Sequence, residues 1–169
     1  MIVDEPSLNS TVRAASELSR KQPFTKGRSI SRPDSASALR VLIVDDNATV
    51  AKALGMLVKK AGWEPIVFNS AAAALAHAKK SGEPPAAAVV DIHMPDLNGL
   101  VLSQKLRETF GPTPPIIVLS GDTSTETIRS LAHVGATYFF SKPVNGKHLI
   151  EKIRALLEEN AGNQMTPPK

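Results

Sequence analysis

Five short apolar runs alternate with five helical patterns, and this alternation decides the class of fold. The runs cover residues 41–44, 63–68, 86–90, 116–120 and 137–141. Most are rich in β-branched or aromatic residues and do not alternate with polar ones, which is typical of parallel strands covered on both faces. A strand followed by a helix, repeated along the chain, predicts βαβ crossovers with helices on both faces of a parallel sheet. The sequence therefore predicts an α/β fold with a five-stranded, doubly wound parallel sheet.

The helical patterns are bounded by residues that begin or end helices. Asn47 and Ser70 are N-cap residue types, and Gly62 and Gly135 follow the last residues of helical periods. The predicted helices cover about 47–61, 70–80, 98–110, 124–134 and 145–159. A domain of this length fits the flavodoxin-like (βα)5 arrangement with strand order 2-1-3-4-5. Neither glycine-rich phosphate-binding pattern, GxGxxG or GxxxxGK[ST], is present, which argues against a nucleotide-binding domain.

The two ends of the chain differ in composition from the part between them. Residues 1–38 are rich in Ser, Thr and Pro, with six Lys or Arg against four Asp or Glu, and they lack a sustained apolar period. Such a segment cannot bury enough surface to offset the entropy of ordering, so we predict a disordered arm or linker. The folded domain is predicted over 39–159, followed by a flexible tail over 160–169.

Composition excludes several classes of protein. Cysteine is absent, which excludes disulfides, thiolate metal sites and a cysteine nucleophile. No apolar run approaches the roughly 20 residues that cross a bilayer, and Asp4 and Glu5 stand where a signal peptide carries positive charge. We therefore expect a cytoplasmic protein without membrane contact. The net charge of +4 is modest and aromatic residues are sparse, so direct nucleic-acid binding is not expected.

Polar side chains stand where four of the predicted strands end. Asp45 and Asp46 follow the first strand, Asp91 the third, Ser120 the fourth and Lys142 the fifth. The carboxyl ends of parallel strands lie along one edge of the sheet, where ligands bind in open α/β folds. We therefore expect three carboxylates, a hydroxyl and an ammonium group to converge there.

The chemistry of this set suits transfer of a phosphoryl group. Clustered carboxylates need a cation or protons to coexist, and oxygen ligands without a His or Cys cluster favour Mg²⁺. Asp91 can then attack phosphorus as a nucleophile, while Lys142 and Ser120 contact phosphoryl oxygens. Taken singly, an Asp at a strand end also suits a turn, Ser120 a helix cap and Lys142 a solvated surface.

From about residue 39 to 159, roughly seven-tenths of its length, the chain resembles the receiver domain of two-component response regulators. The matching features are Val-Asp-Asp at 44–46, Asp91 in DIHMPDLNG, Ser120 in LSGD, and Lys142-Pro143 after GATYFF. The resemblance implies Asp91 as phosphoacceptor, Asp46 as the principal Mg²⁺ carboxylate and Asp45 as the residue that positions a metal-bound water. The backbone carbonyl of His93 would complete the protein ligands of the metal.

The resemblance also implies roles for residues at the last two strands. Ser120 and Lys142 would contact the phosphoryl group, a cis peptide bond would precede Pro143, and switching would pass through Ser120 and Phe139. Judged on its strand alone, Phe139 is equally an ordinary core residue, since alternate side chains of a strand face the same side. Gly99 is expected to permit a tight turn with positive φ at the start of a helix.

Two further residues are predicted to flank the path of the water that would hydrolyse the phosphoryl group. They are His93, two residues after the phosphoacceptor, and Asp122, two residues after Ser120. The hypothesis is that they set the lifetime of that group. The alternative for His93 is an exposed loop residue that supplies only its carbonyl.

The implied function is a phosphoacceptor in phosphorelay signalling rather than an enzyme, a domain that catalyses only its own phosphotransfer and slow self-dephosphorylation. The donor would be a phospho-histidine on a sensor histidine kinase or a histidine phosphotransfer domain, and a downstream protein target would bind the switched surface. A homodimer stays open, as does membership of a longer chain.

Two alternatives remain at the level of the sequence. One is a phosphohydrolase that uses Asp91 on small phosphate esters, although dehalogenase-like phosphatases have a second Asp where this chain has His93. The other is a receiver-like interaction domain that is not phosphorylated. The complete acidic and lysine set argues against this second alternative.

Overall fold

The computed structural model describes residues 38–163 of the chain. Its strands are β1 (Arg40–Val44), β2 (Glu64–Phe68), β3 (Ala87–Asp91), β4 (Ile116–Ser120) and β5 (Tyr138–Ser141). Its helices are α1 (Ala48–Lys60), α2 (Ala71–Ser81), α3 (Gly99–Phe110), α4 (Thr125–His133) and α5 (Gly146–Asn163). All the strands pair in parallel, in the order β2-β1-β3-β4-β5. The predicted class of fold and the predicted strand order are confirmed.

Successive residues of each central strand face opposite sides of the sheet, and each side has its own core. Leu42 and Val44 of β1 face the side covered by α2, α3 and α4, together with Val118 of β4. Val41 and Ile43 face the other side, which α1 and α5 cover. All residues of β3 and β4 are buried. Burial on both faces explains why these runs show no alternation of polar and apolar residues.

The sequence signals for helix starts correspond to observed N-caps. The side chains of Asn47, Ser70, Asn98 and Ser124 each accept a hydrogen bond from a backbone N–H in the first turn of the helix that follows. These bonds satisfy donors that a helix leaves unpaired at its N-terminus. The caps fix where each loop at the carboxyl edge of the sheet ends.

The edge strand β2 contains Pro65, as the sequence predicts for an edge or a strand start. Among the described residues, no helix is both long and apolar enough to cross a membrane.

The last helix runs four residues beyond its predicted end at 159 and reaches Asn163. The side-chain amide of Asn160 donates a 2.8 Å hydrogen bond to the carbonyl of Thr113 and so fastens this last turn to the loop before β4. The prediction of a tail over 160–169 was therefore wrong for 160–163. The remainder of that predicted tail, and the predicted arm except for Ala38, lie outside the described residues.

Candidate functional site

Three carboxylates meet at the carboxyl edge of the sheet, where β1 and β3 end. One carboxylate oxygen each from Asp45, Asp46 and Asp91 lies within 4.8 Å of the others. Asp45 is 1% exposed and Asp91 3% exposed, whereas Asp46 is exposed to solvent. Asp91 is the last residue of β3 and still pairs with Leu119 of β4, so its backbone is part of the sheet. The predicted convergence of the three carboxylates is present in the structure.

Each buried carboxylate accepts a hydrogen bond from the backbone two residues further along. The N–H of Asn47 donates to Oδ1 of Asp45 at 2.9 Å, and the N–H of His93 donates to Oδ1 of Asp91 at 3.3 Å. The side chain of Asn69, after β2, donates to the Asp45 carbonyl at 3.0 Å. One oxygen of each buried carboxylate is therefore oriented by its own loop, and the other oxygen, Oδ2, contacts a lysine ammonium group.

Lys142, which follows β5, supplies positive charge to both buried carboxylates. Its Nζ lies 3.0 Å from Oδ2 of Asp45 and 2.9 Å from Oδ2 of Asp91. Burial alone would lower the pKa of Lys142, but the hydrogen bonds and charges of Asp91 and Asp45 outweigh it and raise the pKa. The ammonium group therefore stays charged at neutral pH and offsets the repulsion between the two carboxylates.

The donor set fits a hard divalent cation. Among the described residues, these three aspartates are the one group of three or more acidic, His or Cys side chains whose ligand atoms come this close together. Oxygen ligands with an exposed member match the preference of Mg²⁺ for one or two carboxylates plus waters. The exposed Asp46 lies on the solvent side of the site, and the exposed loop residue His93 follows β3.

Ser120 ends β4 and is fully buried, and its hydroxyl is bonded to its own loop. Its Oγ donates to the Asp122 carbonyl at 3.0 Å and accepts from the Asp122 N–H at 2.9 Å. The Ser120 carbonyl accepts from the N–H of Lys142 at 2.8 Å, which joins the ends of β4 and β5. The structure thus brings Ser120 to the predicted edge, with its hydroxyl already engaged.

Phe139 lies on β5, partly buried, against the core on the α2, α3 and α4 side of the sheet. This position is the one expected of an ordinary core residue. It is equally compatible with a residue that moves when the loop after β4 changes conformation. The peptide bond between Lys142 and Pro143 is cis, as the resemblance implies.

Gly99 is required at its position for a different reason from the predicted one. Positive φ angles occur at other glycines of the described chain, and Gly99 is not among them. A Cβ atom on Gly99 would collide with the carbonyl oxygen of Asp91 and lie 2.8 Å from its carbonyl carbon. The Gly99 N–H also donates to the Ile92 carbonyl at 2.9 Å. The prediction of a positive φ was wrong, because the glycine serves the close approach of α3 to the end of β3.

The sequence reasoning missed the contact that holds the loop between β3 and α3. Oδ2 of Asp96 accepts from the hydroxyl of Ser70 at 2.8 Å and from the N–H of Ala72 at 3.0 Å. These bonds lower the pKa of Asp96, the Ala72 N–H contributing most. The loop that follows Asp91 is thereby fastened to the N-terminus of α2. The only signal in the sequence is an acidic residue in a loop at the same edge of the sheet.

The fold and this site together define a doubly wound domain with an acidic, lysine-neutralised site at its carboxyl edge. The family model described as the response regulator receiver domain matches residues 41–154. This match covers more than half of the chain, so the chain belongs to the response regulator receiver domain family. It is a receiver domain of signalling proteins rather than a classical enzyme.

Curated relatives agree with this assignment. The sensory/regulatory protein RpfC of Xanthomonas campestris pv. campestris is 32% identical over 174 residues, covering 92% of this chain and 23% of that protein. The photosynthetic apparatus regulatory protein RegA of Rhodovulum sulfidophilum is 36% identical over 128 residues, covering 76% of this chain and 66% of that protein. The chain therefore spans a quarter to two thirds of the length of these relatives.

Solved structures agree as well. A CheY-like receiver domain protein from Methanospirillum hungatei JF-1 has a TM-score of 0.70 at 30% identity, covering 75% of this chain and 99% of that one. The Vibrio cholerae chemotaxis protein CheY4 has a TM-score of 0.66 at 26% identity, covering 71% of this chain and 99% of that one.

Proposed function

We propose that Asp91 accepts a phosphoryl group from a partner's phospho-histidine in a Mg²⁺-dependent reaction, and that the adduct switches protein–protein contacts in phosphorelay signalling. The observation that carries this proposal is the environment of Asp91. Its carboxylate is 3% exposed, lies beside two further carboxylates, and has Oδ2 2.9 Å from the Nζ of Lys142. A nucleophilic carboxylate needs charge neutralisation on the side from which a dianionic group approaches.

The transfer forms one bond and breaks one. A carboxylate oxygen of Asp91 attacks phosphorus, and the bond between phosphorus and the imidazole nitrogen of the donor breaks. The nitrogen keeps that electron pair and takes a proton from solvent. Lys142 neutralises charge on the phosphoryl oxygens, and Ser120 can donate its hydroxyl to one of them once it leaves its own loop. Mg²⁺ held by Asp46, Asp45, Asp91 and the His93 carbonyl would supply further charge neutralisation.

The donor protein has an apolar surface to bind beside the phosphoacceptor. A groove of about 340 Å³ begins at Lys142 and Pro143 and continues between α1 and the start of α5. Its apolar lining residues are Val50, Ala53, Leu54, Leu57, Leu119 and Val144. A protein that brings a phospho-histidine to Asp91 would approach the edge of the sheet where this groove begins, and burial of the apolar surface of the groove would stabilise the complex. We propose that a helix of the phospho-histidine donor occupies it.

The same site can account for slow self-dephosphorylation. His93 is exposed in the loop after Asp91, where its imidazole can influence water that reaches the adduct. Ser120 and Phe139 would transmit the effect of the adduct to the surface that a downstream protein binds, since Ser120 ends β4 at the site and Phe139 lies on the adjacent strand β5, two residues before its end. A switch of this kind works by changing the relative stability of two conformations.

Intact-mass measurement after incubation with Mg²⁺ and acetyl phosphate tests the proposal. We expect the wild type to gain one phosphoryl group, Asp91→Asn to gain none, and Asp96→Asn to behave as the wild type. Asp96 is the matched control because its carboxylate lies outside the acidic cluster, and the side-chain oxygen of an asparagine can still accept the hydrogen bonds from Ser70 and Ala72 that hold the loop after Asp91. An adduct on Asp91→Asn, or none on the wild type, would contradict the proposal.

Two companion measurements, phosphate release from a small phosphate ester and a Mg²⁺ titration, distinguish the two alternatives. A phosphohydrolase would release phosphate well beyond one equivalent per chain from a small phosphate ester. An interaction domain that is not phosphorylated would show neither an adduct nor Mg²⁺ binding in a titration. The adduct, the amount of phosphate released and Mg²⁺ binding together separate all three functions.

A further inference from the structure

The hydroxyl of Ser120 is held by a small hydrogen-bond network at the start of α4. Both of its bonds go to the backbone of Asp122, one donated and one accepted, at 3.0 and 2.9 Å. A hydroxyl has one proton to donate, so the Ser120 proton is committed to the Asp122 carbonyl. While that bond persists, the hydroxyl cannot donate to an oxygen of a phosphoryl group on Asp91.

The backbone of Asp122 is fixed in turn by its own side chain. Oδ2 accepts from the hydroxyl of Thr127 at 2.7 Å and from the hydroxyl of Ser124 at 3.1 Å, and Oδ1 accepts from the Ser124 N–H at 2.8 Å. The Thr127 hydroxyl contributes most to lowering the pKa of Asp122, followed by the two Ser124 donors. The carboxylate is thus occupied by the first turn of α4.

These contacts define the Asp122 network, which consists of Ser120, Asp122, Ser124 and Thr127. Its members other than Ser120 are at least partly exposed, and α4 is one of the shorter helices, at nine residues. Bonds between exposed polar groups are individually weak, so the network can open without disrupting the core. Opening it would release the Ser120 hydroxyl, whereas the backbone of Ser120 stays paired with Ser141 in the sheet.

We infer that Asp122 and Thr127 are positioning residues that hold the Ser120 hydroxyl away from Asp91 in the resting domain. The strength of the Asp122 network then sets how fast Asp91 acquires its phosphoryl group. This inference rests on the proposed function, because it concerns the donation of the Ser120 hydroxyl to the phosphoryl group. It gives Asp122 a role in addition to the one predicted from the sequence, in which this residue flanks the path of the hydrolytic water.

A pair of substitutions at one position tests this inference. Thr127→Val removes the hydroxyl that donates to Asp122 while keeping the shape and β-branching of the side chain. Thr127→Ser keeps the hydroxyl and serves as the matched control. Under the conditions of the acetyl phosphate experiment, we expect Thr127→Val to form the adduct roughly fivefold faster than the wild type, about the factor that one such hydrogen bond is worth. We expect Thr127→Ser to match the wild type.

The same pair is then measured in a Ser120→Ala background. We expect Thr127→Val to have no effect on the rate there, because no Ser120 hydroxyl remains to be released. A purely structural effect of Thr127 would persist without Ser120, so an equal acceleration in both backgrounds would overturn the inference. An unchanged or slower rate in Thr127→Val that still melts like the wild type would also overturn it. Absence of an adduct in the wild type would instead contradict the proposed function.

Discussion

Replacement of Lys142 by Met isolates the charge balance of the site. The ammonium group of Lys142 bridges two carboxylates, at 3.0 Å from Asp45 and 2.9 Å from Asp91, and both are almost fully buried. Met has a similar length and no charge, so the change removes the cation with little change in packing. Two buried carboxylates would then lie close together without a positive partner.

The size of the effect follows from the burial of the three groups. Removing one partner of a fully buried ion pair costs about 3–5 kcal/mol. Because the Lys142 side chain is 29% exposed, water already screens part of the interaction. We therefore expect Lys142→Met to lower the free energy of unfolding by about 2 kcal/mol. Lys147, whose Nζ is 3.8 Å from Glu151 on an exposed helix surface, is the matched control, and Lys147→Met should cost roughly 0.3 kcal/mol.

Urea unfolding at several pH values measures the loss of unfolding free energy in Lys142→Met and tests whether the lost ion pairs cause it. The carboxylates raise the pKa of Lys142 above its ordinary value of 10.5, so the ion pair stabilises the fold below 10.5 and its contribution is lost only in stronger alkali. The loss of unfolding free energy in Lys142→Met should therefore be full near neutral pH and shrink only in strong alkali, where Lys142 of the wild type loses its charge. Mg²⁺ should restore part of the lost unfolding free energy by binding the native state. A loss of unfolding free energy that neither strong alkali nor Mg²⁺ reduces would refute this electrostatic explanation.

Three further predictions concern contacts around the site and at the opposite edge of the sheet. Gly99→Ala should lower the free energy of unfolding by about 2–3 kcal/mol and abolish the Asp91 adduct, because the new Cβ meets the backbone of the last residue of β3; Gly162→Ala, which meets nothing within 4 Å, is the control. Arg107→Met should cost about 2 kcal/mol in urea unfolding, because Arg107 donates to four backbone carbonyls and to the Thr137 hydroxyl. Asp96→Ala should destabilise the domain above pH 3.8 and lose its effect in stronger acid, since the folded-state pKa of Asp96 is lowered; a deficit independent of pH would argue against this.

Contacts between residues close in sequence were predictable, and so was everything that follows from strand order. The N-cap of α1 involves Asn47 and backbone groups two and three residues later, so the residue type at one position suffices to predict it. The approach of Asp45 to Asp91 spans many residues, yet it follows from parallel strands whose carboxyl ends share an edge. The N-cap and the approach of the two carboxylates can both be inferred from the period of the apolar residues and the residue types at the ends of the strands and helices.

Contacts that depend on the path of a loop were not predictable. Asp96 caps α2 from a loop 24 residues away from Ala72, and the sequence contains no period or motif that relates these positions. Asn160 extends the last helix through a contact with Thr113, 47 residues earlier. Gly99 shows the intermediate case, since the glycine was recognised but the backbone that requires it is near only in the folded chain.

Asp91 is held by the sheet, whereas the loops beside it are held by side-chain hydrogen bonds, and this difference indicates which parts of the site could change conformation. Asp91 belongs to the sheet through its pairing with β4, so its position is set by the most buried part of the domain. The loops that follow β3 and β4 are held instead by side-chain bonds at exposed positions, from Asp96 to α2 and from Asp122 to α4. A phosphoryl group on Asp91 would add charge at a fixed point, while the contacts able to respond are few and weak. The loops after β3 and β4 are therefore the parts of the domain that would change conformation when Asp91 is phosphorylated, and the surface would change with them.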